Sequence, residues 1–285
     1  MKLFDVVEGK NLLFYLLTPY FVKEKFFSDG DLEQLKKNNS EWNLKVNELE
    51  RAESYDARHG YMTGEGSGYP LMPLIKNRFV GSALGRVLEI GAGSGFLTAK
   101  LASQSSVWRA LELVPELAER IRKIKAKEKL NQIEVIQKSI FDFENLPGSY
   151  DTIFLFYTLH HLTDRKKIVE KIYTWLHPGG VLYCLEPRHN LQRMIQLGRK
   201  YFAMYRKEPT KQDHFVTHDF VCKIELGQLV KQAGFSSWQV EAYDFPFLRR
   251  FLGERKDQQF QLESKITKIP MVEHFGRFLF LRAVK

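Results

Sequence analysis

The chain has 285 residues, 44% of them hydrophobic and 27% charged, and carries a formal net charge of +9. That balance suits a globular chain with a large core and excludes collagenous, low-complexity and disordered classes. The basic excess suits anionic partners, among them nucleic acid, acidic lipid surfaces and phosphorylated small molecules, without choosing between them. Cys184 and Cys222 stand far apart and form neither a metal nor a redox spacing. No metal is expected, and a reducing, cytoplasmic compartment is. Asp5 and Glu8 interrupt the N-terminus, so no signal peptide is read there. No stretch reaches the roughly 20 apolar residues of a membrane-spanning helix.

Residues 1–55 read as a helical extension. Leu12 to Val22 is a dense apolar and aromatic run that Pro19 bends. With Lys23 and Lys25 beside it, the stretch Leu12 to Phe27 fits peripheral contact with a membrane, a cover over a greasy substrate, or an extra helix packed on the domain or at a dimer interface. Ser28 with Asp31 resembles a capping box, and Ser40 caps a further helix carrying Trp42, Val46 and Leu49. Residues 54–70, rich in glycine and tyrosine, suit either a lid or an ordinary connection. Pro70 opens a helix over Leu71 to Phe79.

The stretch Arg86 to Thr98 then runs from strand to glycine-rich turn to helix. Val87, Leu88 and Ile90 make the apolar run of a doubly covered parallel strand, and Glu89 sits just before the turn. Gly91, Gly93 and Gly95 permit a sharp turn and a close ligand approach. Strand and helix patterns alternate from there, which predicts a parallel sheet covered on both faces. The strands are Val107 to Leu111, ending in Glu112, then Ile133 to Ile136, Tyr150 to Phe156 with a buried-looking Asp151, and Val181 to Leu185, ending at Glu186. Helices are expected at Phe96 to Ser103, Glu116 to Glu128 and Arg165 to Leu176, the last stopped by His177-Pro178-Gly179-Gly180. A helix from Ile224 to Ala233, a strand from Trp238 to Tyr243, a polar stretch from Gly253 to Lys268 and a last strand within Phe275 to Val284 complete the chain.

A glycine-rich first turn followed by an acid after the second strand serves two cofactor classes. The dinucleotide pattern needs a third glycine where Phe96 stands. Glu89-Ile90-Gly91-Ala92-Gly93-Ser94-Gly95 instead resembles the signature of class I S-adenosylmethionine-dependent methyltransferases. Leu113-Val114-Pro115 after Glu112, Leu159-His160-His161-Leu162 after the fourth strand and Leu176-His177-Pro178-Gly179-Gly180 before the fifth are similar to further motifs of that family, in the same order. The resemblance covers roughly residues 70–186 and continues more weakly to the C-terminus. It implies an α/β, Rossmann-like, doubly wound seven-stranded sheet, mostly parallel with an antiparallel last strand, after the N-terminal helical extension. The methyltransferase domain would span residues 56–285, with a substrate-side insertion at 187–222.

The resemblance also implies a binding role for particular residues. Glu89 would reach the methionyl amino group of S-adenosyl-L-methionine, and Gly91, Ala92 and Gly93 would pass beneath the methionyl and ribose portions. Glu112 would hold the ribose hydroxyls and Leu113 would pack on the adenine. Ser139 and Ile140 stand where many relatives read the adenine amine with an acid, a departure at Ser139. Phe156, with Tyr157 close by, would line the methionyl side. No residue is assigned as catalytic; His160, His161 and His189 are candidate bases, with local packing the alternative for the first two.

The fourth strand ends without the Asn/Asp-Pro-Pro-aromatic motif that grips an exocyclic base amine, and neither cysteine lies there. A nucleic-acid substrate loses ground accordingly. Arg188, Arg193, Arg199, Lys200, Arg206, Lys207 and Lys211, interleaved with Tyr201, Phe202 and Tyr205, suit a cover that attracts an anionic head group, a nucleic-acid face or a solvated helix. The expected activity is methyl transfer to a small-molecule or lipid-like acceptor. An RNA or protein methyltransferase and a non-catalytic cofactor-binding protein are the alternatives, and the oligomeric state stays open.

Overall fold

A computed structural model describes residues 18–31, 33, 34, 37, 69–190, 195, 220–253, 255–269 and 271–285. The expectations for residues 1–17, for the helix opened by Ser40, for the glycine-rich stretch up to residue 68 and for most of the basic insertion lie outside them.

Seven strands form one sheet: β1 (Gly85–Ile90), β2 (Ser105–Glu112), β3 (Ile133–Gln137), β4 (Tyr150–Phe156), β5 (Leu176–Pro187), β6 (Ser237–Tyr243) and β7 (Phe278–Val284). Their order is β3-β2-β1-β4-β5-β7-β6, with β7 antiparallel to both neighbours and every other pairing parallel. After one N-terminal helical turn (Tyr20–Lys23), the longer helices are α1 (Leu71–Arg78), α2 (Phe96–Leu101), α3 (Pro115–Lys127), α4 (Arg165–Trp175), α5 (Lys223–Ala233), α6 (Pro246–Leu252) and α7 (Lys256–Ile266). The order reverses between β1 and β4, and their C-terminal ends open the crevice where such sheets bind ligands. Among the described residues no helix is long and apolar enough to cross a membrane.

Strand alternation divides the core into two chemistries. On one face Leu88, Ile90, Ile153, Leu155, Leu182 and Leu281 pack under α4 and α5. The other face is aromatic. Trp108, Phe154, Tyr183 and Phe280 stack in a row across β2, β4, β5 and β7, with successive ring centroids 5.8, 5.5 and 6.0 Å apart. Phe79 stands edge-on to this row, 5.2 Å from Phe154 and 4.8 Å from Tyr183. α1, α2, α3 and α7 cover it.

Local chemistry sets the element ends. α3 has Pro115 at its start, Glu116 in its first turn and Lys125 and Lys127 in its last, matching its dipole. The Ser28–Asp31 capping pair is reciprocal, with the Asp31 N–H donating to Ser28 Oγ at 3.2 Å and the Ser28 N–H to Asp31 Oδ2 at 3.1 Å. α5 opens on a capping box between Cys222 and Glu225 and stops at Gly234, whose φ is 101°.

Three features differ from expectation. The polar stretch after Gly253 contains α7, which buries Gln259 and Glu263 through hydrogen bonds and so carries no apolar stripe to be read. Asp151 is half-buried, and two of its oxygens bind the Arg86 guanidinium at 3.0 Å, fastening β1 to β4. β5 begins at Leu176 and runs through the Pro-Gly-Gly turn. A Cβ on Gly180 would lie 2.8 Å from the His177 carbonyl, so the chain needs glycine there.

Candidate active site

The glycine-rich turn joins β1 to α2 at the reversal point. The Gly91 and Ala92 N–H groups donate to the Leu111 carbonyl at 2.9 and 3.1 Å, folding the turn over the end of β2. Gly91 has φ 69°, and a Cβ on it would lie 2.8 Å from Thr158 Cγ2. The Thr158 hydroxyl meets the Ile90 carbonyl at 3.1 Å, so Gly91 makes room for the joint between β1 and the loop after β4. Gly95 serves packing instead, because its Cβ would meet Ile121 of α3 at 2.9 Å.

Two carboxyl groups lie beneath the turn. Glu112 accepts the Gly93 N–H at 2.6 Å and the Val114 N–H at 2.9 Å, and burial raises its pKa while those bonds oppose the rise. Glu89 accepts from Thr98 Oγ1 at 2.5 Å and Trp108 Nε1 at 3.0 Å. Burial pushes the Glu89 carboxyl up to about 8, and those two bonds only partly offset it. No basic side chain among the described residues contributes to either shift. Two buried acids, Glu112 held by backbone N–H groups and Glu89 by a hydroxyl and an indole, with no cation contributing to either, suit a ligand that brings a positive charge and hydroxyl donors.

Ala92 is buried and Leu113 half-buried beside them. After β3, Ser139 is half-buried and its Oγ accepts the Phe141 N–H at 3.3 Å, while Ile140 packs into the aliphatic core. The Phe156 ring turns to the aromatic face, 5.4 Å from Phe154 and 6.4 Å from Phe79. The structure thus groups Glu89, Gly91, Ala92, Gly93, Glu112 and Leu113 at the ends of β1 and β2, with Ser139 and Ile140 after β3 and Phe156 across the reversal point.

A second constellation lies at the ends of β4 and β5. Glu186 is fully buried and accepts the Thr158 and Leu159 N–H groups at 2.8 and 2.7 Å, and the His160 N–H at 3.3 Å. Its other contact is His160 Nδ1 at 2.6 Å. A carboxylate can only accept, so the contact orients Nδ1 as the donor. Sequence reasoning placed Glu186 only as a strand end. The available signal was its equivalence to Glu89 and Glu112, an acid at the C-terminal end of a parallel strand. Tyr157 between these elements has φ 53°, and burial beside Glu186 and Asp244 pushes its hydroxyl up.

Neighbouring segments are held by long-range polar contacts. Arg165 and Glu225 pair at 2.6 Å, and the Arg165 guanidinium lies 4.1 Å from the Tyr20 ring centroid, which docks the N-terminal turn onto α4 and α5. Tyr69 donates to Glu263 at 2.5 Å, and Glu263 also accepts the Asp244 and Phe245 N–H groups, each at 2.9 Å. Arg188, expected in the basic cover, is buried; it binds the Glu273 carbonyl and, at 2.9 Å, His274 Nδ1. Its role is to fasten the end of β5 to Glu273 and His274.

Residues 88–184 match the family model described as a methyltransferase domain. The chain is 29% identical over 152 residues to a ubiquinone biosynthesis O-methyltransferase of Xanthomonas euvesicatoria pv. vesicatoria, a match that takes in 52% of this chain and 62% of that protein. A protein of the same name from Xylella fastidiosa is 27% identical over 201 residues, covering 67% of this chain and 79% of that one. The fold superposes on phosphoethanolamine N-methyltransferase 2 of Haemonchus contortus with a TM-score of 0.58 and 20% identity, over 82% of this chain and 56% of that one.

Proposed function

We propose that this chain is a class I S-adenosylmethionine-dependent methyltransferase that methylates a hydroxyl oxygen of a small-molecule acceptor, with His160 as the base; the matched methyltransferase domain and the O-methyltransferase relatives support the reading. The observation that carries this reading is the 2.6 Å contact between His160 Nδ1 and the buried Glu186 carboxylate. When bound, S-adenosylmethionine supplies an activated methyl group on a sulfonium. The two acids at the ends of β1 and β2 fit its charge and its ribose diol.

In this reading Glu89 faces the methionyl ammonium, and Gly91, Ala92 and Gly93 form the floor beneath. Glu112 accepts from the ribose hydroxyls with the lone pairs its backbone bonds leave over, and Leu113, Ser139 and Ile140 surround the adenine. Phe156 borders the methionyl side. A hydroxyl is a weak nucleophile while it keeps its proton. His160 receives that proton at Nε2, and Glu186 balances the imidazolium charge that results. Glu186 also holds the Thr158–His160 backbone still, which fixes where the base stands. The name of the curated relatives, an O-methyltransferase, supports oxygen as the methylated atom.

The test offers methyl-labelled S-adenosylmethionine with separated metabolite, lipid, RNA and protein fractions. Ether-linked label in the small-molecule fraction is expected. His160→Ala should lower kcat by about 10²–10⁴-fold and leave cofactor affinity unchanged by calorimetry. Label confined to RNA or protein, or cofactor binding with no transfer, would overturn the proposal.

A further inference from the structure

The segments that leave β6 and enter β7 present an exposed apolar surface. Phe251 is 82% exposed, Met271 76%, Phe275 63% and Phe247 41%. Monomeric proteins scatter such side chains singly, so their concentration within two short segments asks for a reason. Phe247 and Phe251 are four residues apart in α6 and share its outer face. Leu248 and Leu252, the other such pair, are half-buried, and Leu248 packs against the aliphatic core. The outward aromatic face is therefore not a helix turned the wrong way, because its inner apolar face is already satisfied.

Both segments are firmly held. Arg277 binds Asp244 at 2.8 and 2.5 Å and donates its N–H to the Tyr243 carbonyl at 2.9 Å, joining the base of α6 to the base of the 271–275 turn. Lys223 pairs with Glu273 at 2.5 Å, and Arg188 binds the same turn. The exposed rings thus stand on a rigid platform.

The charges around them have one sign in excess. Arg249, Arg250, Arg255 and Lys268 are exposed and make no ion pair with any described residue. Among the described residues, the acids Asp244, Glu273 and Asp257 are matched, by Arg277, Lys223 and Lys76. Apolar side chains at the centre with unmatched cations at the rim complement the anionic head groups and acyl boundary of a lipid bilayer. A protein partner would have to bring both an apolar socket and a ring of acids.

We propose that α6, Lys268 and the 271–275 turn form a docking surface for an anionic membrane, with Phe247, Phe251, Met271 and Phe275 entering the head-group boundary. Arg249, Arg250 and Lys268 then lie against lipid phosphates. β6 ends and β7 begins on the edge that carries Glu186, since Glu186 pairs with Leu279 and Tyr157 packs on Phe278 at 5.7 Å. Docking there brings the candidate site to the bilayer surface. The surface stands on its own geometry and does not depend on the methylated atom or on His160.

The test is sedimentation of the full chain with phosphatidylcholine vesicles, with and without phosphatidylglycerol. Binding to the anionic vesicles alone is expected, with release by salt. Phe251→Ser combined with Met271→Ser should weaken it by about tenfold or more. Arg249→Glu with Arg250→Glu should abolish the preference for anionic lipid. Lys166→Glu with Lys167→Glu, on α4, is the matched control and should change little. These positions are exposed, so melting temperatures should stay near that of the parent and exclude misfolding as the cause. No vesicle binding, or binding equal in parent and surface variants, would overturn the proposal. So would concentration-dependent self-association or a lipid-free protein complex that Phe251→Ser abolishes.

Discussion

The two halves of the sheet's C-terminal edge use one device at different ranges. At β2, Glu112 catches the N–H groups of Gly93 and Val114. At β5, Glu186 catches those of Thr158, Leu159 and His160. In both places a buried carboxylate satisfies backbone donors that a tight turn leaves without partners. The first half closes over short stretches of chain, Glu89 to Thr98 and Gly93 to Glu112. The second half closes over long ones, Arg165 to Glu225, Arg188 to His274 and Tyr69 to Glu263. One half of the edge is thus closed by local contacts and the other by contacts between distant segments.

Four experiments would break or sharpen that contrast. Glu186→Ala strips three buried N–H groups of their acceptor and should cost about 3–6 kcal/mol in urea unfolding, while Glu186→Gln, which keeps one acceptor oxygen, should cost less. Equal losses for the two would remove the carboxylate from its structural role. Gly91→Ala forces a Cβ against Thr158 at a positive φ and should destabilise by about 2–4 kcal/mol. Adding Thr158→Ala should recover the steric part and leave about 1 kcal/mol of backbone strain; no recovery would mean the halves do not meet through this contact.

Glu112→Ala should weaken S-adenosylmethionine binding by about 1.5–3 kcal/mol in calorimetry, through lost charged hydrogen bonds. Unchanged affinity would remove the ribose from that carboxylate. The fourth test is the pH dependence at Glu89. Its folded-state pKa is raised from 4.5 to about 8, so the unliganded site holds a protonated carboxyl across that window. A cationic ligand prefers the ionised form. Affinity should therefore rise with pH and level off above about 8, by at most about tenfold per unit. The free protein should lose stability as pH climbs through the same window, because ionising Glu89 then opposes folding. Glu89→Gln should flatten both curves.

Much of this architecture can be read from residue patterns. β4 runs over Tyr150–Phe156 as its apolar alternation predicts, and Gly234 ends α5 where a left-handed residue is required. The turn from Gly91 to Gly95 and the acid at Glu112 lie within one strand–helix–strand unit, so their chemistry shows without coordinates. α7 was hidden because its buried side chains include Gln259 and Glu263, which hydrogen bonding rather than hydrophobicity keeps inside. Arg188 reads as a free cation among basic neighbours, and only the fold reveals the carbonyl and imidazole that bind it.

By itself the sequence determined the parallel sheet, its glycine-rich first turn and the acids that end its strands, because those features rest on apolar strand patterns and on turns whose partners lie within one or two elements. The pairing of Glu186 with His160, the fastening of Tyr69 to Glu263 and the platform under Phe251 were decided by tertiary structure alone. Each joins segments far apart in the chain, and a carboxylate, a hydroxyl or a guanidinium acquires its role only from the groups that folding brings within hydrogen-bond reach.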